Sequence, residues 1–236
     1  NGVIIVMFIL VIYTGLTSNN FFTGNNLMNI LMNMSSRLVI ALGIAGCVIT
    51  AGCDLSAGRM IGFGACISGM LLQRLDYSGK FFPDMKPLNV VLVAVITWFI
   101  FNMTRHGKYM YAIGGNPQAA EVAGVPVKKT LILIYMKAAA MYGLAGFMLG
   151  AKAGGASVQT GYGYEMEAIA ACTIGGVSVT GGRGKVSSAI IGVAVFELLK
   201  VALQYLGMNA NAQYIAIGVV IFVAISLDIR KYIARK

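Results

Sequence analysis

The sequence predicts an all-α fold, a polytopic transmembrane helix bundle with Gly-rich broken helices, and three observations predict it. Hydrophobic residues make up 58% of the 236 residues, charged residues only 11%, and apolar stretches recur along the whole chain. A soluble domain is about 25% charged, so this chain has too little polar surface to coat a globule in water. Its mean hydropathy of +0.80 points the same way. The apolar stretches are 3–16, 38–51, 60–72, 88–103, 130–150, 168–179, 186–206 and 214–227, eight candidate crossings within a single domain covering 1–236. Several fall short of the about 20 residues that a straight span needs. Those either extend through Gly and Ser or are broken helices supported by neighbours. The alternation of period 2 that marks barrel strands is absent.

The net charge of +10 does not point to nucleic acid, because Lys and Arg on cytoplasmic loops orient membrane proteins. Placing Arg105, Lys108, Lys128 and Lys129 inside puts Arg183, Lys185, Arg230, Lys231, Arg235 and Lys236 inside as well, by strict alternation. Arg37, Arg74, Lys80, Lys86 and Lys152 then fall in outer loops, and both termini are cytoplasmic. The cysteines Cys47, Cys53, Cys66 and Cys172 form no C-x-x-C pair and lie among small apolar residues, which reads as packing. The chain opens on Asn1-Gly2 and enters an apolar run at once, so a short polar leader is expected before it; a cleaved signal peptide is the rival reading.

Two segments resemble each other, with identities at Ile44/Ile169, Ala45/Ala170, Cys47/Cys172 and Ile49/Ile174. Each runs into a Gly-rich break, 50–59 and 175–185. Interrupted helices at matching places in two halves point to a substrate path, since unwound backbone survives at membrane depth only where it lines a cavity or is buried. Close helix packing through small residues accounts for the same pattern. The path candidates are Asp54, Ser56 and Arg59 in the first break, Glu165 and Glu167 before the second, and Gly175 and Gly176 within it. For Asp54 two roles are open: a charge, relieved by Arg59, or a cap whose oxygen meets the amides of Ser56 or Ala57 where the next helix begins.

Catalytic motifs are missing. The pairs Gly79-Lys80, Gly107-Lys108 and Gly184-Lys185 lack the Ser or Thr of a phosphate-binding loop. A single histidine, His106, excludes H-E-x-x-H chemistry, no G-x-S-x-G occurs, and the eight acidic residues are scattered. No metal site or cofactor is expected, and any ATPase must be a partner chain. Lys137, Glu197 and Lys200 lie inside apolar stretches, where each charge costs about 2.5–3.5 kcal/mol on insertion scales; Glu197 and Lys200, one helical turn apart, can pair.

The loop 104–129 carries the most specific signal. Asn116 can cap a short helix, Pro117 fits its first position, Glu121 suits the positive end, and Gly124 can take the left-handed stop. With Ala119, Ala120 and Ala123 on it, this helix reads as a docking element for another protein or as a capped connector. Gly114 precedes it.

This loop resembles the coupling loop of permease subunits in bacterial ABC importers of the ribose/xylose/galactose family. Gly52-Cys53-Asp54-Leu55-Ser56-Ala57-Gly58 is similar to the family's Gly-x-Asp-Leu-Ser-x-Gly, Tyr164 to Ala171 to its entry into a later helix, and Gly175-Gly176 to Gly184 to its Gly-rich break. Ala57-Gly58-Arg59 and Phe82-Pro83-Asp84-Met85 resemble the galactose/methyl-galactoside members. The resemblance implies a pathway formed by a homodimer, a cytoplasmic ATPase docked on Gly114, Asn116, Pro117, Ala119, Ala120, Glu121 and Gly124, an extracytoplasmic sugar-binding protein, and a place in the bacterial inner membrane among lipid. One departure stands out: near 86–88, where Lys86-Pro87 bridges to Leu88, the family has a further two-helix block. The rival classes are an ion-coupled secondary transporter or channel, which calls for paired intramembrane carboxylates, and a membrane scaffold, which has no need of broken helices.

Overall fold

The computed structural model describes residues 2–18, 20–71, 90–157 and 159–233, and all regular structure among them is helical. The helices are α1 (Gly2–Thr17), α2 (Gly24–Ile49), α3 (Ala57–Leu71), α4 (Val90–Met103), α5 (Arg105–Gly115), α6 (Pro117–Val122), α7 (Val127–Ala153), α8 (Tyr164–Gly175), α9 (Val186–Tyr205) and α10 (Ala210–Ile233). Of these, α2, α7 and α9 are each long and apolar enough to cross a membrane alone, and α4 with α5 forms a further candidate span bent by 69°. The stretches 60–72 and 168–179 become α3 and α8, of 15 and 12 residues. These are half-length helices flanking Gly-rich breaks. The sequence 72–89, with Phe82-Pro83-Asp84-Met85 and the Lys86-Pro87 bridge, lies outside the described residues.

One boundary moves by several turns. Helix α2 begins at Gly24 rather than near Leu38, so Arg37, expected in an outer loop, sits inside a 26-residue helix. The polar run before it is helical because its side chains bond locally: Asn26 Nδ2 donates to the Phe21 carbonyl at 2.7 Å and Ser35 Oγ to the Met32 carbonyl at 2.7 Å.

Close approaches fix the helix directions. Gly46 meets Ile134 and Gly43 meets Met141 and Tyr142, while Lys152 bonds Asn33, so α7 runs antiparallel to α2. Gly64 lies against Gly143 and Gly150 against Ala65 and Ser68, so α3 runs alongside α7 in the same sense. Cys172 Sγ donates to the Ala41 carbonyl at 3.4 Å, and Gly192 packs against Ala171 as Gly175 does against Ser188, which sets α8 along α2 and α9 against both. These contacts set α2 and α8 in one direction and α3, α7 and α9 in the other. Small residues at the crossings let backbones touch, the usual way that helices associate without a hydrophobic driving force. A core of Val39, Ile44, Ile49, Tyr142, Ile174 and Phe196 fills the centre. Phe8, Ile12, Val95, Phe99 and Phe222 stay exposed, an apolar exterior suited to lipid.

Candidate functional site

The two similar segments end in the same way. Helix α2 closes with Gly52 N–H donating to the Cys47 carbonyl at 2.9 Å while Ala51 takes φ +57°. Helix α8 closes with Val177 N–H donating to the Cys172 carbonyl at 2.9 Å while Gly176 takes φ +106°. Both are six-to-one closures around a left-handed residue, and they fall at the same offset that aligns Cys47 with Cys172. Glycine takes that conformation freely; Ala51 is the only non-glycine at positive φ among the described residues and carries strain of about 1–2 kcal/mol. The sequence likeness is thus a repeat of local geometry.

The two breaks meet. Gly182 N–H donates to the Ile49 carbonyl at 2.8 Å, linking the second break to the end of α2. Gly114, buried near the end of α5, touches both partners of that bond: a Cβ there would lie 2.5 Å from Gly182 N and would overlap the Ile49 carbonyl. From the same helix, Tyr111 Oη donates to the Gly184 carbonyl at 2.8 Å. The root of the 104–129 loop is therefore clamped onto both breaks.

Beyond Gly114, Asn116 Oδ1 accepts from Ala119 N–H at 3.0 Å, Pro117 opens α6, and Gly124 stops it at φ +82°. Two details differ from expectation. Ala120 is buried, packed with Ile113 and Val125, so it holds α6 to its own chain and is not an accessible face. Glu121 lies near the C-terminal end, because a helix of six residues has left its first turn by then. The accessible face carries Ala119, Glu121, Ala123 and Val122, which is 91% exposed. Sequence reasoning missed Val122, although a lone β-branched apolar residue among alanines was its signal.

Asp54 is buried, and its Oδ1 accepts from Ser56 N–H at 3.0 Å and from Ser56 Oγ at 2.6 Å. This Asx-type turn leads straight into α3, holding Ser56, the residue before its first turn. Arg59 does not pair with it: the exposed guanidinium lies over the Tyr162 ring, 5.5 Å from the centroid. Glu165 brings Oε2 against Gly58, at the positive end of α3, where a carboxylate is favoured. Gly175 packs against Ser188 and Gly192 of α9, so close packing explains it without a cavity. Lys137 places Nζ 3.9 Å from the Phe101 ring centroid, a cation–π contact that offsets part of its desolvation.

Glu167 belongs to a buried charge cluster that the sequence did not reveal. Arg37 bonds Glu197, Arg37 Nη1 lies 3.7 Å from Glu167 Oε2, and Lys200 Nζ lies 2.7 Å from Glu167 Oε1. Glu197 and Lys200 do not pair with each other, since each reaches a different neighbouring helix. Two cations and two anions joining α2, α8 and α9 cancel in charge, which makes the group tolerable in lipid surroundings. Beside it a pocket lined by Arg37, Tyr164, Glu167 and Phe196 measures about 10 Å³, room for about one water molecule.

The sequence of this chain matches a known class of membrane protein. A family model described as the permease component of a branched-chain amino acid transport system matches residues 77–225. The chain belongs to that permease family. It is 30% identical to the galactose/methyl galactoside import permease protein of Escherichia coli (strain K12), over 100% of this chain and 95% of that protein. The permease of the same description from Haemophilus influenzae is 32% identical, over 98% of this chain and 95% of its own length. The ribose import permease protein of Bacillus subtilis (strain 168) is 28% identical over 98% and 92%. No solved structure matches the chain. As a family member, the chain is an integral membrane permease component, and its glycine breaks are the irregular backbone that such proteins place against protein rather than lipid.

Proposed function

We propose that this permease is the translocation-path subunit of an ATP-driven sugar importer in the bacterial inner membrane, carrying galactose or a methyl galactoside. The observation that carries the substrate is the near full-length likeness to galactose/methyl galactoside import permeases. In this reading an ATPase docks from the cytoplasm on the exposed face of α6, and an extracytoplasmic binding protein delivers the sugar to a pair of these chains. Both termini lie on the cytoplasmic side. The clamp of Gly114 on Ile49 and Gly182 supports a route by which displacement of α6 moves both broken helices at once. Asp54, Ser56, Arg59, Glu165, Glu167, Gly175 and Gly176 border those breaks; Asp54 and Glu165 brace α3, Glu167 braces α8, and Gly175 and Gly176 let α8 stop against α9.

The chain does no covalent chemistry in this account, and ATP hydrolysis belongs to the partner. The alignment with the Escherichia coli permease runs over 320 positions for a chain of 236, which supports a block of that protein having no counterpart in this chain; the Lys86-Pro87 bridge is where we place it. The ion-coupled reading is weakened because Glu167 and Glu197 are already matched by Lys200 and Arg37. Uptake of labelled sugars by vesicles holding the permease, its ATPase and its binding protein tests the substrate. Galactose accumulation well above that of ribose and xylose supports the reading; preference for a pentose refutes it.

A further inference from the structure

Arg37 faces two carboxylates with one nitrogen. Nη1 bonds Glu197 on α9 and stands 3.7 Å from Glu167 Oε2 on α8. That Oε2 is buried and accepts no hydrogen bond, whereas Oε1 of the same carboxylate is held by Lys200 at 2.7 Å. A buried carboxylate oxygen without a donor is costly, and the donor best placed for it is the one now on Glu197. The pocket against Arg37 and Glu167 leaves free volume beside them. The guanidinium also lies over the Tyr164 ring, 5.6 Å from the centroid, a surface along which a flat cation can turn while staying stabilised. The side chain of Arg37 therefore has a hydrogen-bonded seat on α9 and, on α8, an ion-paired one whose oxygen lacks a hydrogen bond, with no unpaired charge at either end.

We propose that Arg37 is a positioning residue for the transport step, exchanging its bond between Glu197 and Glu167 as α8 and α9 shift relative to α2. A guanidinium spreads five donors over a planar fork and can bond the second carboxylate before releasing the first, whereas a lysine directs its three donors from one nitrogen and spans less distance. A lysine supplies the charge at a single point and stays with one partner. The inference rests on the transport reading above, and uptake by the unsubstituted importer tests that reading separately.

The test uses the complete importer in vesicles. Arg37→Lys is expected to keep its thermal unfolding midpoint near that of the unsubstituted protein and to lower sugar uptake about tenfold, within the range reached by changes in coupling networks. A folded Arg37→Lys protein with undiminished uptake overturns the proposal. Should Arg37→Lys fail to assemble, Glu167→Gln with Lys200→Gln removes the second seat as a neutral pair; the same loss of uptake is expected, and full uptake overturns the exchange. Spin labels at the exposed Met32, Met166 and Ile191 read the motion with the quartet intact. The separation of α2 from α9 should grow as that of α2 from α8 shrinks between ATP-free and ATP-bound states, and unchanged separations in a vesicle that transports sugar contradict the proposal.

Discussion

Replacing Gly114 with alanine places one methyl group where three backbone segments meet. Its Cβ overlaps the Ile49 carbonyl and comes 2.5 Å from Gly182 N, and both atoms are backbone, so neither yields by changing rotamer. Overpacking of this kind costs about 1–3 kcal/mol. Separating Gly182 N–H from the Ile49 carbonyl, a 2.8 Å bond, adds about 1 kcal/mol. The expected loss is therefore about 2–4 kcal/mol. The neighbouring Gly115 is exposed, is helical, and has nothing within 4 Å of its Cβ position; alanine there gains up to about 1 kcal/mol of helix propensity. Thermal unfolding of the detergent-solubilised permease compares the two. Gly114→Ala should melt well below the unsubstituted protein and Gly115→Ala at or above it, with sugar-stimulated ATP hydrolysis lost only in the former. Equal midpoints for the two variants refute the clamp.

Val122→Asp, on the exposed face of α6, should weaken ATPase docking roughly tenfold with no change in unfolding midpoint, as read by titrating the ATPase against the permease. Ala120→Arg, by contrast, should unseat α6, because that position is buried against Ile113 and Val125; normal stability of that variant contradicts the packing. Asp54→Asn should retain most stability and transport, since asparagine presents the same acceptor to Ser56, while Asp54→Leu strands the Ser56 amide and hydroxyl at about 1–3 kcal/mol. If asparagine melts as low as leucine at this site, the charge matters and the cap does not. Ala51→Gly should raise stability by about 1 kcal/mol by relieving the left-handed strain, and its counterpart Gly176→Ala should lower it by a similar amount; a loss for the first or a gain for the second in unfolding assays would show that the two breaks are not equivalent.

What could be read from the sequence was local. The Asn116-Pro117 start and Gly124 stop of α6 are legible because capping engages residues within one turn, whereas the apolar stretch 168–179 runs past the end of α8 at Gly175. The Asp54–Ser56 turn is open between two roles in the sequence; in the structure Asp54 bonds Ser56 and Arg59 turns toward Tyr162. The burial of Ala120 was not legible: in a six-residue helix no hydrophobic period develops, so its inner face is set by Ile113 and Val125 alone. The placement of Arg37 failed for a related reason. Its partner Glu197 lies 160 residues away, and without that partner a charge beside Asn and Ser reads as a loop. Likewise Glu197 and Lys200 look like an intrahelical pair until α2 and α8 bring opposite charges nearer. Gly175 and Gly192 announce close packing by residue type, yet only the helix directions show that they pack on each other's segments.

The central claim, that this chain conducts a sugar driven by a partner's ATP hydrolysis, is tested most directly by uptake in vesicles of the reconstituted importer with ATP enclosed on the side of α6 and ion gradients collapsed by ionophores. Galactose accumulation is expected to require the enclosed ATP, to be insensitive to the ionophores and to disappear with Val122→Asp. Accumulation that proceeds without ATP and collapses with the ion gradient would contradict it.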